Sequence, residues 1–282
     1  MNTYLLFPVF AGVLIGLTES LNKSITEKKF SVFSYSFLQW FGNLILCSIL
    51  FFIKKEAFPS NPMAYIHLFI VLTTAFVGNT LLIKAYKTED VSNINIVLRI
   101  SLVISFLTGV ILLSEKVTSL NYLGIILIIS GIITIFYKGK RIKLSEGFIF
   151  TLIGGTCLGF ITFLNKTSLN YFTPISFLVA ANIGGSIYSL LFPKAVKDII
   201  PIFKKYTLKY IFSRIASFIG YYLFLLALPF INVSVANTNY ETFSLLSVVF
   251  LGIIFLKEKA DLRNKIAGST LCILGIIFLN FF

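Results

Sequence analysis

Long apolar runs, separated by short polar or basic breaks, set the rhythm of the chain. A helix rises ~1.5 Å per residue, so about 20 apolar residues cross a hydrocarbon core ~30 Å thick. On that scale the pattern predicts ten spans, at roughly 3–22, 33–53, 64–84, 91–114, 120–137, 147–166, 173–192, 208–227, 233–256 and 264–281. Phe58-Pro59-Ser60-Asn61-Pro62 and Pro193 mark clear breaks, and the longest basic connection runs from Lys194 to Lys209. One run carries an awkward residue. From Val91 to Lys116 the chain is almost wholly apolar past Arg99 until Glu115. A guanidinium inside a membrane costs at least about 2.5–3.5 kcal/mol on insertion scales. Arg99 should therefore face protein, water or a ligand.

Composition agrees with the pattern. Of 282 residues, 57% are hydrophobic and only 12% charged, against about 25% charged in soluble domains. The fold class expected is an all-α polytopic membrane protein. Met1 to Pro8 lacks a basic region and no small-residue cleavage site follows, so it reads as the first span and not as a removed signal. The formal charge of +13 is better explained by loops facing anionic membrane lipids than by nucleic acid. Cys47, Cys157 and Cys272 lie far apart in apolar runs, with no metal spacing and no disulfide framework. His67 is the only histidine. No cofactor and no metal is expected.

The chain repeats itself. Gly12, Gly16, Leu21, Asn22 and Lys23 recur as Gly155, Gly159, Leu164, Asn165 and Lys166, at an offset of 143. Gln39 and Gly42 meet Asn182 and Gly185; Phe76, Gly78, Leu81 and Ala85 meet Phe218, Gly220, Leu223 and Ala227. Glu115, Gly124 and Gly131 meet Glu258, Gly268 and Gly275, and Glu241 stands where Arg99 stood. Five spans per copy is an odd number, so the second copy enters from the opposite face. Loop charges test this independently. The odd-numbered loops carry 18 Lys and Arg and the even-numbered loops 4, which puts the odd loops in the cytoplasm and both termini outside. The expected domains are two inverted five-helix repeats, 1–142 and 143–282.

These residues resemble a family. Gly16 with Lys23 seven positions on, repeated as Gly159 with Lys166, is similar to the first-span element of EamA-type members of the drug/metabolite transporter superfamily. Glu115, Gly124 and Gly131, repeated as Glu258, Gly268 and Gly275, resemble that family's acidic span end followed by a Gly-x6-Gly helix. The family's usual tryptophan before the first-span glycine is replaced by Ile15 and Leu158. The resemblance covers both copies. It implies export or uptake of small metabolites, with the third, fourth, eighth and ninth spans prominent around a central cavity.

The polar residues inside spans are the candidates for chemistry. Ser92, Asn95 and Arg99 share one helical face, as do Asn237, Glu241, Ser244 and Ser247. Both faces should point inward, because lipid leaves their polar groups unpaired. Inverted repeats bring Arg99 and Glu241 within roughly 5–10 Å along the membrane normal. They are expected either to pair directly or to hold a polar metabolite, its carboxylate on Arg99 and its amine on Glu241. Substrate-binding candidates are thus Arg99, Glu241, Asn95, Asn237, Asn79 and Tyr222. Gln39, Asn182, Tyr221, Asn239 and Tyr240 are further cavity candidates. Glu19 lies four residues before Lys23, so it is either an ion-pair partner or a coupling carboxylate. Lys23 and Lys166 are candidates for gating or for reaching the membrane surface, and Arg214 is expected to reach the surface too. Lys84 and Lys87 should anchor the end of the third span, and Glu115 and Glu258 should sit at interfaces.

The function this favours is secondary transport of a small polar metabolite, such as an amino acid, or of a drug across the plasma membrane. The protein would act as a monomer or homodimer, with proton or ion coupling open. A lipid-linked sugar flippase of the same architecture is the nearest alternative. An intramembrane enzyme is further off, since no catalytic His, Asp or Ser constellation is visible. Topology is directly testable. In a cysteine-free background, Ser60→Cys in the second loop should react with a membrane-impermeant maleimide in whole cells, and Lys28→Cys in the first loop only after permeabilisation. The opposite labelling would invert the orientation.

Overall fold

The computed structural model describes residue 4 and residues 6–26, 28–113, 118–138, 141–142, 144–230, 233–256 and 261–280. These form helices α1 (Leu6–Ile25), α2 (Val32–Ile53), α3 (Pro62–Tyr86), α4 (Val91–Val97), α5 (Ile100–Leu113) and α6 (Ser119–Phe136), then α7 (Glu146–Ser168), α8 (Pro174–Leu190), α9 (Ile199–Ala227), α10 (Val233–Ile254) and α11 (Leu262–Asn280). Between α6 and α7 a two-residue ladder joins β1 (Tyr137–Lys138) to β2 (Arg141–Ile142). Helix starts follow local chemistry. Ser31, Asn61, Ser145 and Thr173 each accept a backbone N–H of the following turn through their side chains. Pro62 and Pro174 occupy the first helical turn, where a missing N–H costs nothing. Glu115 and Glu258 lie outside the described residues.

Among the described residues, five stretches are long and apolar enough to cross a membrane: Val32–Ile53, Pro62–Tyr86, Val91–Thr108, Glu146–Ser168 and Ile199–Ala227. Ser119–Thr134, Pro174–Leu190 and Asn239–Ile254 are shorter apolar helices. The distribution of polarity is that of a protein in lipid. Phe52, Phe69, Ile111, Leu208 and Phe250 are exposed, while Asn22, Asn95, Arg99, Asn165, Arg214 and Lys265 are buried. Hydrocarbon cannot satisfy a hydrogen-bonding group, so such groups turn inward.

Helix contacts fall into matched sets. α1 packs on α9 and α10, and α7 packs on α3 and α5; α2 runs against α8, and α6 against α11. Missing side chains permit the closest approaches. A Cβ on Gly16 would lie 2.6 Å from the Ser247 Cβ and 2.9 Å from the Ser244 carbonyl oxygen, and one on Gly159 would lie 2.5 Å from the Ser101 carbonyl oxygen. Association inside lipid depends on such van der Waals contact between small residues, because burying apolar surface there gains little.

Two boundaries differ from the sequence pattern. The stretch 91–114 is not one helix: it is interrupted at Leu98 and Arg99, where Arg99 N–H bonds the Ile96 carbonyl (3.2 Å) and Ser101 N–H bonds that of Leu98 (2.9 Å). Such i→i−3 bonds tighten the chain and re-aim the segment that follows. The second difference concerns the connection from Lys194 to Lys209, which is largely helical. α9 begins at Ile199, with backbone at Tyr206 departing from helical values (φ −125°, ψ 24°). Pro201 falls in its first turn, where it is tolerated, and Ile202 and Tyr210 pack with Ile25, Tyr35 and Ile83. That burial, invisible in a run counted as basic, extends the helix.

Candidate functional site

Two buried arginines organise the interior. The first is Arg99, only 1% exposed. Its Nε donates to the Asn95 backbone oxygen (3.0 Å) and its Nη2 to Asn95 Oδ1 (2.7 Å). Its Nη1 donates to the Glu241 backbone oxygen (2.6 Å) and also pairs with the Glu241 carboxylate. Asn95 in turn donates its Nδ2 to the Glu19 carboxylate. A continuous chain, Glu19–Asn95–Arg99–Glu241, therefore links α1, α4 and α10. The break after α4 and the i,i+4 spacing of Asn95 and Arg99 let one guanidinium serve two helices. Ser92, Asn237 and Ser244, on the same two polar faces, are buried as well.

The second cation is Arg214 on α9, 4% exposed. The sequence placed it near the membrane surface; the structure does not. With α9 starting at Ile199, Arg214 lies about four turns into the helix and cannot reach its end. Its Nη2 donates to Asn22 Oδ1 and to Ser213 Oγ, both at 2.7 Å, and its Nη1 contacts the Gln39 backbone oxygen at 3.5 Å. Nε has no partner. All of these partners are neutral, and no acidic side chain lies within ion-pair range of Arg214 among the described residues. Asn22 Oδ1 is shared further, accepting from Tyr35 (2.7 Å) and Ser213 (2.8 Å) hydroxyls.

Between these groups lies a cavity of about 270 Å³. Glu19, Asn22, Gln39, Asn79, Asn182 and Arg214 contribute to its polar wall, and Trp40, Leu72, Phe177 and Tyr240 to its apolar one. Several lining residues carry buried polar atoms without a partner: Trp40 Nε1, Asn43 Oδ1, Asn165 Oδ1, Asn182 Oδ1 and Arg214 Nε. An unpaired buried polar atom costs roughly 1–3 kcal/mol. Water or a solute in this space would supply the missing partners.

Of the sequence candidates, Asn79, Gln39, Asn182, Tyr221, Tyr240 and Glu19 line the cavity. Asn79 donates to Gln39 Oε1 at 3.1 Å. Arg99, Glu241, Asn95, Asn237 and Asn239 are not among its lining residues; the first three reach it through Glu19. Tyr222 is elsewhere too. Its hydroxyl accepts from Lys54 at 2.7 Å, and that bond holds the Lys54 pKa above the ordinary lysine value. Lys23 donates to the Tyr86 carbonyl (2.7 Å) and to that of Glu89, tying the end of α1 to the end of α3. Lys166 is exposed at the end of α7. Lys87 donates to the Phe30 carbonyl and Lys84 lies over the Phe150 ring at 5.4 Å, so both hold the end of α3. Arg214, Asn22, Asn43 and Asn165 were not singled out as cavity residues. The recurrence of Leu-Asn-Lys at 21–23 and 164–166 was the signal available for the two asparagines.

Removing one member of a buried ion pair strands the other, at about 3–5 kcal/mol. Arg99→Ala should therefore lower the melting temperature of the detergent-solubilised protein sharply. Arg99→Ala with Glu241→Ala should cost clearly less than the sum of the single changes. Additive losses would show that the two side chains do not act as a pair.

Comparison with known proteins adds the family. Curated proteins give no significant match. A solved crystal structure shares 12% identity and aligns over 100% of this chain and 97% of its own, with a TM-score of 0.71. At that identity the likeness shows the fold alone. The model of the EamA-like transporter family matches twice, over residues 2–137 and 145–281. With apolar helices throughout and a family match across nearly its full length, the chain belongs to the EamA-like transporter family, membrane transporters of the drug/metabolite superfamily.

Proposed function

We propose that this protein is a ten-span secondary transporter that moves a small polar metabolite by alternating access. Its halves are 1–142 and 143–282, inverted with respect to each other, and the cargo occupies the cavity between them. The cavity's composition carries this reading. Its walls come from α1, α2 and α3 on one side and from α7, α8, α9 and α10 on the other. A site shared by two halves is opened to either face when one half rocks against the other. The matched helix contacts, α1 on α9 and α10 against α7 on α3 and α5, and the two consecutive family matches support the duplication.

In this mechanism Arg99 and Glu241 act behind the wall. They fasten α4 and α10 and report to the cavity through Asn95 and Glu19. Glu19 is the one group that belongs both to the cavity and to the charge chain, so occupancy or protonation there is felt at the α4–α10 junction. Lys23, bridging the ends of α1 and α3, closes the same half at its basic face.

Solute counterflow tests the reading without assuming a coupling ion. Purified protein in proteoliposomes is preloaded in turn with amino acids, nucleosides, sugars and organic cations, and uptake of the labelled solute is followed. At least one class should show counterflow. Ala75→Phe, which fills the cavity from α3, should abolish it with little change in melting temperature. Flux unaffected by the filled cavity, or no flux of any class, contradicts the transport route.

A further inference from the structure

We propose that the entry to α9, with the turns just before it, is a docking surface for an anionic glycerophospholipid. The lipid's phosphate lies among lysines, and its acyl chains lie against the apolar side chains between them. Lys194, Lys197, Lys204, Lys205 and Lys209 all fall in this stretch and all are exposed. Its one acid does not neutralise them, because Asp198 is half-buried and its Oδ2 accepts the Ser31 N–H at 2.6 Å. Other lysines at the odd-numbered loops are committed to the protein. Lys23 bonds the Tyr86 and Glu89 carbonyls, Lys87 that of Phe30, and Lys265 the Asp90 carboxylate. Among the described residues, the ammonium groups of Lys194, Lys197 and Lys204 meet no such acceptor. Lys205 and Lys209 lie over the Tyr206 ring, 5.2 and 5.9 Å from its centre.

Helix length sets the depth of this surface. The 29 residues of α9 rise about 43 Å, against a hydrocarbon core of ~30 Å. The irregular backbone at Tyr206 divides them. From Thr207 to Ala227 the helix runs 21 residues, about 32 Å, which is enough to cross. Ile199 to Lys205 therefore stand at headgroup level. Ala195 and Ile202 turn inward, each 1% exposed, whereas Leu191, Ile200, Phe203 and Leu208 are 71, 65, 41 and 72% exposed. Water disfavours these apolar side chains and hydrocarbon disfavours the lysines, so the interface is the one medium that suits both. Such surfaces bind by burying apolar area and attracting anionic headgroups together. The excess of lysine selects a headgroup of net negative charge over a zwitterionic one. The apolar side chains among the lysines select an intact lipid over a soluble anion.

Full-length protein in detergent tests this, doped with dioleoylphosphatidylglycerol or with dioleoylphosphatidylcholine at equal mole fraction. Melting and native mass spectrometry are the readouts. Phosphatidylglycerol should raise the melting temperature more and bind at least about tenfold more tightly at low salt. That advantage should shrink in about 0.5 M NaCl. Lys204→Gln with Lys205→Gln and Lys209→Gln should remove most of the preference, and the three corresponding arginine substitutions should keep it. Lys55→Gln with Lys166→Gln, at the even-numbered loops, should leave it unchanged. If the glutamine variant does not fold, the two lipids compared on the unaltered protein still decide. Equal effects of the two lipids, or an undiminished preference in the glutamine variant, overturn the site. Glycerol phosphate that stabilises as well as the intact lipid overturns the lipid assignment in favour of a free anion.

Discussion

A polar group inside a hydrocarbon layer must find its partner within the protein, and this requirement shapes the molecule around two arginines. Arg99 meets it completely, with Asn95 on its own side and Glu241 across the helix interface. The demand is strong enough to accompany a break in the backbone, since the stretch beginning at Val91 turns at Leu98 and Arg99 before continuing as α5. Irregular backbone at membrane depth is tolerated where protein surrounds it, and here it is buried against α7 and α10. Arg214 meets the same requirement only in part. The difference between a closed charge pair and an open one separates a residue that holds helices from a residue that awaits a ligand.

The helix α1 stands where the two systems meet. Glu19 accepts from Asn95 in the Arg99 chain, and Asn22, three residues on, accepts from Arg214. The same helix packs against α9 and α10 through glycines whose replacement would drive a side chain into opposing backbone. Such surfaces are smooth and held by dispersion and few hydrogen bonds, so one helix can shift against another without leaving apolar area exposed to water. A transporter that rocks needs joints of this kind, and it needs polar links that register what the cavity contains.

Much of this was legible in the sequence, because lipid imposes simple rules. Apart from the start of α9, apolar run length located the described helices to within a few residues, and the opposed Arg99 and Glu241 were recognisable as partners from their matching places in the repeat. In the structure the two side chains pair directly. What escaped were features that depend on tertiary burial. The break at Leu98 carries no glycine or proline to announce it. The start of α9 hides in lysines whose neighbours Ile202 and Tyr210 pack inward. That misjudged start put Arg214 at the surface, when it is buried and lines the cavity.

The division of roles between the two arginines is most directly measured by ligand-induced stabilisation of the full-length protein in detergent. A ligand that binds the folded state raises the melting temperature in proportion to its occupancy. Melting is followed with and without a millimolar solute that shows counterflow, in the unaltered protein, in Arg214→Gln, and in Arg99→Ala with Glu241→Ala. That solute should still stabilise the pair-deleted protein, from a lower starting point, and should no longer stabilise Arg214→Gln. Stabilisation that persists in Arg214→Gln and disappears with the Arg99–Glu241 pair would contradict the account.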